Sequence, residues 1–305
     1  MACDITVRAV ARGSDPTRLH GKVAKAMDVF RVVQIACTRF DESSPLMRAN
    51  AAPGQWSSVP QICFDSLREA YHAYLLTDGR FDPRVLDDLV RLGYARSMKA
   101  GVPLEIDAPH ALDRRAPLPE WAPEFRADSS EVMLGELPID LGGIGKGLAV
   151  RWCSDRLRAG GVADHLVEAG GDCYCAGLAP EGGPWRLAVE DPAGSDTPVA
   201  VVELTDLACA TSSVRIRQWR AAGQLVHHIV DPRTGLPGGA GLRSVTVINA
   251  DAATAEVWSK TLFLFGSADI AEAARTQQIA ALWVDDAGSL HLSPAIARHV
   301  IWQAS

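Results

Sequence analysis

The segment Ile139-Asp140-Leu141-Gly142-Gly143-Ile144-Gly145-Lys146-Gly147 constrains the fold more than any other. A β-prone approach ends at Asp140, four glycines follow, and the chain then reads as helical to about Ala159. A short strand, a tight turn and a helix are therefore expected in succession. Backbone N–H groups at such a helix start can hold a phosphate, and glycines let a ligand approach the chain closely. Neither common nucleotide signature fits. A P-loop needs Gly five residues before the Gly-Lys pair and Ser or Thr after it, where Asp140 and Gly147 stand, and the Rossmann glycine spacing also fails. A structural turn and an anion site remain equal readings on pattern alone.

Around this segment the hydrophobic period alternates between strand and helix. Ile5 to Val10 is β-prone, and Leu19, Val23, Met27, Phe30 and Val33 recur at helical spacing between about Thr17 and Cys37. A Pro-containing loop is expected from Asp41 to Pro60, then a helix carrying Leu67, Ala70, Tyr74 and Leu75 that ends near Thr77-Asp78-Gly79, then a short helix over Pro83 to Leu92. The proline-rich stretch Asp107 to Asp128 reads as a long surface loop. Beyond the glycine segment, strands are expected at His165–Ala169, Trp185–Val189, Val199–Leu204 and Val245–Asn249, a helix at Thr254–Phe265, and a closing strand at Ile279–Val284. The class is α/β or α+β.

Three further constellations carry chemically useful groups. Glu168-Ala169-Gly170-Gly171-Asp172 sets a carboxylate after paired glycines, which a tight turn explains equally well. Cys173 and Cys175 just after it share one face of a strand, and a lone C-x-C is more often core than metal site. His227-His228-Ile229-Val230-Asp231-Pro232-Arg233-Thr234-Gly235 concentrates two imidazoles, a carboxylate and a guanidinium around a turn. Histidine suits proton transfer near neutrality and Arg233 suits a phosphate, while the bland reading is an ion-paired turn. A hydrolytic triad is the weaker rival, since Ser212 and Ser213 lack a G-x-S-x-G elbow. Glu256 and Lys260 lie four apart on one helix face, which by itself reads as a surface ion pair.

Composition narrows the partners. The net charge is −7 and no dense Lys/Arg run exists, which argues against a nucleic-acid surface. Seven scattered cysteines do not make a disulfide framework and favour a reducing compartment. No apolar run approaches the roughly 20 residues that cross a bilayer, and Met1 to Val10 lacks the pattern of an export signal.

Taken in order, these segments resemble the motifs of the ApbE family, the FAD:protein FMN transferases. Met1-Ala2-Cys3 resembles the family's opening Met-Gly-Thr, and Cys37-Thr38-Arg39-Phe40 through Asn50 its Ser-x-[FY]-x-x-x-Ser…Asn loop. Thr77-Asp78-Gly79-Arg80-Phe81-Asp82-Pro83 matches T-x-G-x-F-D-P. Asp140 to Gly147, Gly170-Gly171-Asp172, Ala210-Thr211-Ser212, His228 to Gly235 and Ser244-Val245-Thr246-Val247 continue the series. The resemblance implies one α/β (α+β) domain over residues 1–305, of ApbE-like, T-fold-related architecture, with FAD in a deep cleft. It implies Met1, Phe40, Asp78, Gly79 and Arg80 around the flavin, and Asp140, Lys146 and Ile229 against the rest of FAD. His228 would take the proton of an acceptor Thr or Ser hydroxyl, and Arg233 would clamp the loop or a phosphate. The implied partner is an acceptor protein that receives FMN as AMP leaves. A flavin-binding paralogue that stores FAD or serves as an interaction module, and an FAD pyrophosphatase, are the alternatives. Family members are often exported, so the resemblance leaves the compartment open between cytoplasm and periplasm.

The family's Mg2+ would lie by Gly143 and by helix positions that carry Asp and, four residues on, Thr. Here those positions are Glu256 and Lys260, and an ammonium is a poor ligand for a hard cation. Lys260 is expected either to project into the metal position with Glu256 holding it, or to pair with Glu256 beside a metal site built from backbone carbonyls near Gly143. Arg151, where Asp is usual, and Ser212-Ser213-Val214, in place of Ser-Gly-Asp, are further departures.

Overall fold

The β-prone runs pair into one seven-stranded sheet whose spatial order follows the chain: β1 (Ile5–Ala9), β2 (His165–Ala169), β3 (Asp172–Ala176), β4 (Leu207–Ser213), β5 (Leu242–Asn249), β6 (Ala280–Asp285) and β7 (Leu290–Leu292). Every neighbouring pair is antiparallel. The structure, a computed structural model, describes residues 3–13, 15–97, 105–106 and 112–304.

Both faces of this sheet are covered, which explains why its strands read as nearly continuous apolar runs. Val167, Tyr174, Ala210, Val245 and Val247 point to a helical layer. That layer holds α1 (Pro16–Cys37), α5 (Gly145–Ala159) and α6 (Ala252–Thr276). Leu166, Cys173, Cys175, Cys209, Ile248 and Leu282 point the other way, onto a three-stranded sheet of Trp185–Val189, Ala200–Leu204 and Val300–Gln303. Cys173 and Cys175 do share a face, and it is core; no group of three or more His, Cys, Asp or Glu able to hold a metal exists among the described residues. A second core joins α1 to α2 (Pro45–Asn50) and α3 (Gln61–Leu76), and α4 (Leu86–Arg91) packs against Trp219. No helix among the described residues is long and apolar enough to cross a membrane.

Local chemistry starts the helices where the sequence allows. Asp15 accepts the Thr17 N–H at 2.9 Å ahead of Pro16, and Ser44 accepts the Met47 N–H at 3.1 Å ahead of Pro45. The second cap corrects the expected Asp41–Pro60 loop, inside which α2 forms. The proline-rich stretch likewise holds a strand, Glu124–Arg126, paired with Glu131–Met133. Residues 107–111 of that stretch lie outside the described residues. The helix expected to stop at Phe265 runs on to Thr276 past a kink at Gly266, whose φ of 74° is glycine's territory. The closing strand is not the last, since β7 and Val300–Gln303 follow it.

The approach to the glycine segment is also corrected. No ladder strand leads to Asp140. Residues 134–141 run without strand pairing, and the side chain of Asn50 does the work of a partner strand. Its amide donates to the Ile139 carbonyl and accepts the Ile139 N–H, both at 2.9 Å, and the Asp140 N–H bonds Pro83 O at 2.8 Å. Ile139 and Leu141 are fully buried, so the apolar pattern is real although the ladder is not.

Gly147 sets how closely α5 crosses α6. A Cβ there would lie 2.5 Å from the Ala252 carbonyl oxygen and 2.7 Å from Ala253 Cα, whereas one on Gly145 would meet nothing within 4 Å. Gly147→Ala is therefore expected to lower stability by about 1–3 kcal/mol through overpacking, despite a gain in helix propensity, while Gly145→Ala loses none. Urea melts of the two variants against the parent check this; equal midpoints would refute the close approach.

Candidate functional site

The cavity that gathers the motif residues measures about 500 Å³, within the range of small-ligand sites. It lies between the C-terminal end of α1, the segment from Arg80 to Leu89, the glycine turn, the loop from His228 to Pro232, and Lys260 and Leu264 of α6. Of the residues singled out from sequence, Phe40, Arg80, Asp140, Gly143, Lys146, His228, Ile229 and Lys260 line it. Asp78, Gly79, Arg233 and Glu256 do not, and Met1 lies outside the described residues.

Asp78 and Gly79 act one step away. Their φ values of 50° and 70° make the turn that closes α3, with the Gly79 N–H on Tyr74 O at 2.9 Å, and this turn sends Arg80 toward the cavity. There the Arg80 guanidinium lies 3.7 Å from the Phe265 ring centroid. Arg233 is committed to its own loop: Nη2 donates to Asp231 Oδ2 at 2.6 Å and Nε to Oδ1 at 3.0 Å. Burial pushes the Asp231 carboxyl up, but Arg233 outweighs it and holds the group below its usual range. The loop clamp is therefore what the geometry favours for Arg233.

At the inner end, two lysines and two carboxylates interlock. Lys146 Nζ lies 2.5 Å from both Asp172 Oδ2 and Glu256 Oε1, and Lys260 Nζ lies 3.0 Å from the same Glu256 Oε1. Glu256 Oε2 accepts the Gly147 N–H at 2.7 Å. The Glu256 side chain is 0% exposed and that of Lys260 16%, so the pair expected at the surface is instead at the heart of the molecule. Burial alone would raise the Glu256 carboxyl, yet Lys146 and Lys260 hold it at about 2. Burial lifts Asp172 to about 6. Burial lowers Lys260, and although it opposes the charge on Lys146 too, the two carboxylates raise that group above its ordinary value. The Gly170-Gly171 turn, with both residues at positive φ, joins β2 to β3 and brings Asp172 to Lys146.

These contacts bear on the metal question through donor chemistry. A hard divalent cation needs several free oxygens. Both oxygens of Glu256 are engaged by two ammonium groups and an amide, and Lys260 offers no lone pair when charged. Its Cδ also stands 3.5 Å from where a Gly143 Cβ would be, filling the space between that glycine and α6. As they stand, the side chains of Glu256 and Lys260 are a poor donor set for Mg2+, since the one is saturated and the other is a cation. The Gly147 amide at the start of α5 is likewise taken by Glu256, so the anion-binding reading of the helix start loses one of its donors.

The remaining wall is cationic and aromatic. Among the described residues the cavity is lined by Arg39, Arg80, Lys146, Arg217 and Lys260 but only two carboxylates, Asp82 and Asp140. Asp82 is neutralised by buried Arg84, Nη2 to Oδ2 at 2.7 Å. Sequence reading gave Arg39 no role although it lies within the Cys37–Asn50 motif, and it missed Tyr94 and Arg217, which no motif distinguished. The Arg39 guanidinium is stacked 4.2 Å from the Phe40 centroid and 4.4 Å from that of Tyr94, its Nε is 3.7 Å from Asp140 Oδ2, and its buried Nη2 has no hydrogen-bond partner among the described residues. Phe40 itself is 44% exposed, an open ring face at the cavity rim. His228 Nδ1 lies 3.3 Å from the Arg217 carbonyl, and burial together with the charges of Arg217 and Lys260 pushes its pKa well down, so the ring is neutral at pH 7.

A model of the ApbE family matches residues 1–283. The FAD:protein FMN transferase of Salmonella typhimurium is 31% identical over 152 residues, covering 50% of this chain and 43% of that protein. The match thus spans less than half the length of that curated relative. Among solved structures, the ApbE protein of Thermotoga maritima superposes with a TM-score of 0.79 at 26% identity, covering 96% of this chain and 95% of the other. The flavin transferase ApbE of Vibrio cholerae gives 0.77 at 23% identity, covering 98% and 96%, a likeness of fold.

His227 makes this loop pH-sensitive. Its Nδ1 accepts the Ile229 N–H at 3.3 Å, its ring meets Phe263 edge-on, and burial lowers its pKa to about 4 from 6.5. Because the folded value lies below the unfolded one, its contribution is complete above pH 6.5 and is lost as pH falls toward 4. About 2 kcal/mol of stability should disappear over that window, allowing for the solvent that reaches this half-buried ring. His227→Gln should flatten that part of the pH dependence in urea melts at pH 7 and 4.5. An unchanged difference between the two pH values would refute it.

Proposed function

Because the chain belongs to the ApbE family, we propose that it is an FAD:protein FMN transferase, moving FMN from FAD to a Thr or Ser hydroxyl of an acceptor protein with release of AMP. The observation that carries the reading is the cavity in which neutral His228 stands beside Arg217 and Lys260 at the end of an aromatic, cationic cleft. Phe40, backed by Arg39 and Tyr94, offers a face for the flavin ring. Arg80, Arg217 and the lysines offer positive charge for a pyrophosphate.

In this reading the acceptor oxygen forms a bond to the FMN-side phosphorus. The bond from that phosphorus to the bridging oxygen breaks, its electron pair staying on AMP, and the hydroxyl proton passes to His228. The nearby cations keep His228 unprotonated before the substrate arrives. The negative charge of FAD raises its pKa toward neutrality, so that it becomes a better base only when loaded. Asp140 and Ile229 line the same cleft and contribute shape and contacts to FAD, and one domain over residues 1–305 is the matching organisation. A store of FAD without transfer is the second reading, favoured by the unsuitability of Glu256 and Lys260 as metal ligands.

Incubation with FAD and candidate acceptor proteins, read by mass spectrometry, separates these. Transfer gives an acceptor heavier by FMN less one water together with AMP. Hydrolysis gives free FMN and AMP, and a store gives neither. His228→Ala should lower transfer by about 10²–10⁴-fold while leaving FAD affinity nearly unchanged. Transfer by His228→Ala at the parent rate would remove His228 from the chemistry.

A further inference from the structure

We infer that the ammonium of Lys260, seated on Glu256 beside Lys146, supplies to the phosphates of bound FAD the positive charge that a divalent cation would otherwise bring, so that this chain binds FAD without a divalent metal ion. The inference deepens the transferase reading and rests on it for the identity of the ligand.

Three features support it. First, the buried carboxylate that could ligate an ion is saturated: Glu256 Oε1 meets Lys146 at 2.5 Å and Lys260 at 3.0 Å, and Oε2 meets the Gly147 amide at 2.7 Å. A divalent ion would have to displace an ammonium and then sit in contact with both lysines. Like charges at such separations repel strongly in a water-poor site.

Second, the two lysines are not equivalent. Lys146 is gripped by two carboxylates, Asp172 and Glu256, and is the better neutralised of the pair. Lys260 has Glu256 as its one ion-pair partner among the described residues, and it reaches the cavity wall. Its three donors exceed what one carboxylate oxygen takes up, so it has capacity for a phosphate oxygen. Its alkyl stem lies along Gly143, where a side chain larger than glycine's would also press on Phe81, 2.9 Å from the Cβ position.

Third, the ammonium does not act alone. Arg217 lines the cavity with no hydrogen-bond or ion-pair partner for its guanidinium among the described residues, and both it and Lys260 lie close enough to His228 to depress its basicity. A phosphoryl group between these two cations would have its non-bridging oxygens matched by fixed donors, with His228 beside it. Fixed cations need no reorganisation as charge develops, which is how a tethered group can stand in for an ion. Lys260 is in this sense a substrate-contacting residue and Glu256 the one that positions it.

The test is calorimetric titration of FAD into metal-stripped protein, in EDTA and again in millimolar Mg2+, for the parent chain and for Lys260→Met, with thermal melts to verify folding. The parent should give affinities within twofold of each other in the two conditions. Lys260→Met should bind at least tenfold more weakly in EDTA. Lys260→Thr, which restores a neutral oxygen at the site, provides a second weakened variant if Met misfolds, and it too should bind at least tenfold more weakly in EDTA. Tightening of the parent by Mg2+ beyond twofold, or parent-like affinity of the folded Lys260 variants in EDTA, would overturn the tethered cation while leaving the transferase reading standing. Absence of FAD binding in both conditions would overturn both.

Discussion

The buried carboxylate of Glu256 is the contact on which the rest of this architecture depends. It reaches from α6 to the first turn of α5 through the Gly147 amide and to Lys146, which in turn grips Asp172 on β3. One side chain thus couples the longest helix, the glycine segment and the central sheet. A charge removed so fully from water costs several kcal/mol unless it is matched, and removing one partner of such a cluster leaves the others uncompensated. The cluster has two positive and two negative groups, so it is neutral as a unit while its members remain charged. That balance is what allows four ionic groups to persist at the inner end of the cavity, the two lysines in its wall and the two carboxylates behind them.

The same cluster explains the character of the cleft above it. With the carboxylates turned inward and consumed by lysines, the surface presented to a ligand is dominated by Arg39, Arg80, Arg217 and Lys260, in a chain whose overall charge is negative. A pocket of one sign in a body of the other concentrates ligands of opposite charge. The aromatic rim of Phe40 and Tyr94, stacked on Arg39, adds a face suited to a flat ring. Under the proposed function, the planar ring and the doubly charged linker of a flavin dinucleotide would meet their complements at different parts of one cavity.

Much of the framework was legible in the residues. The helical recurrence of Leu19, Val23, Met27, Phe30 and Val33 in α1 and the β-prone runs at His165–Ala169 and Val245–Asn249 declare themselves because the physics is local, a side-chain period along one segment. The misreadings share one cause. Ile139 and Leu141 alternate as strand residues do, yet the backbone partner of Ile139 is the Asn50 side chain, from a helix hidden in what looked like a loop, and the Leu141 carbonyl is taken by the N–H groups of Ile144 and Gly145. Glu256 and Lys260 have the spacing of a surface pair, and what buries them is α5 arriving from a hundred residues earlier. Arg217 and Tyr94 carry no pattern at all, since a residue becomes a wall only when the fold brings the opposite wall to it.

By itself, then, the sequence determined the longer helices, several of the strands and the glycine turns, and through its ordered motifs the ApbE family. These depend on backbone sterics and on short-range periodicity, which are written residue by residue. The tertiary structure alone decided which charges are shared. It turned Arg233 to its own loop, gave both Lys146 and Lys260 to one glutamate, and left the Arg217 guanidinium at the cavity with no ion-pair partner among the described residues. Ion pairing is settled by distance and by exclusion of water, and neither exists until distant segments have packed.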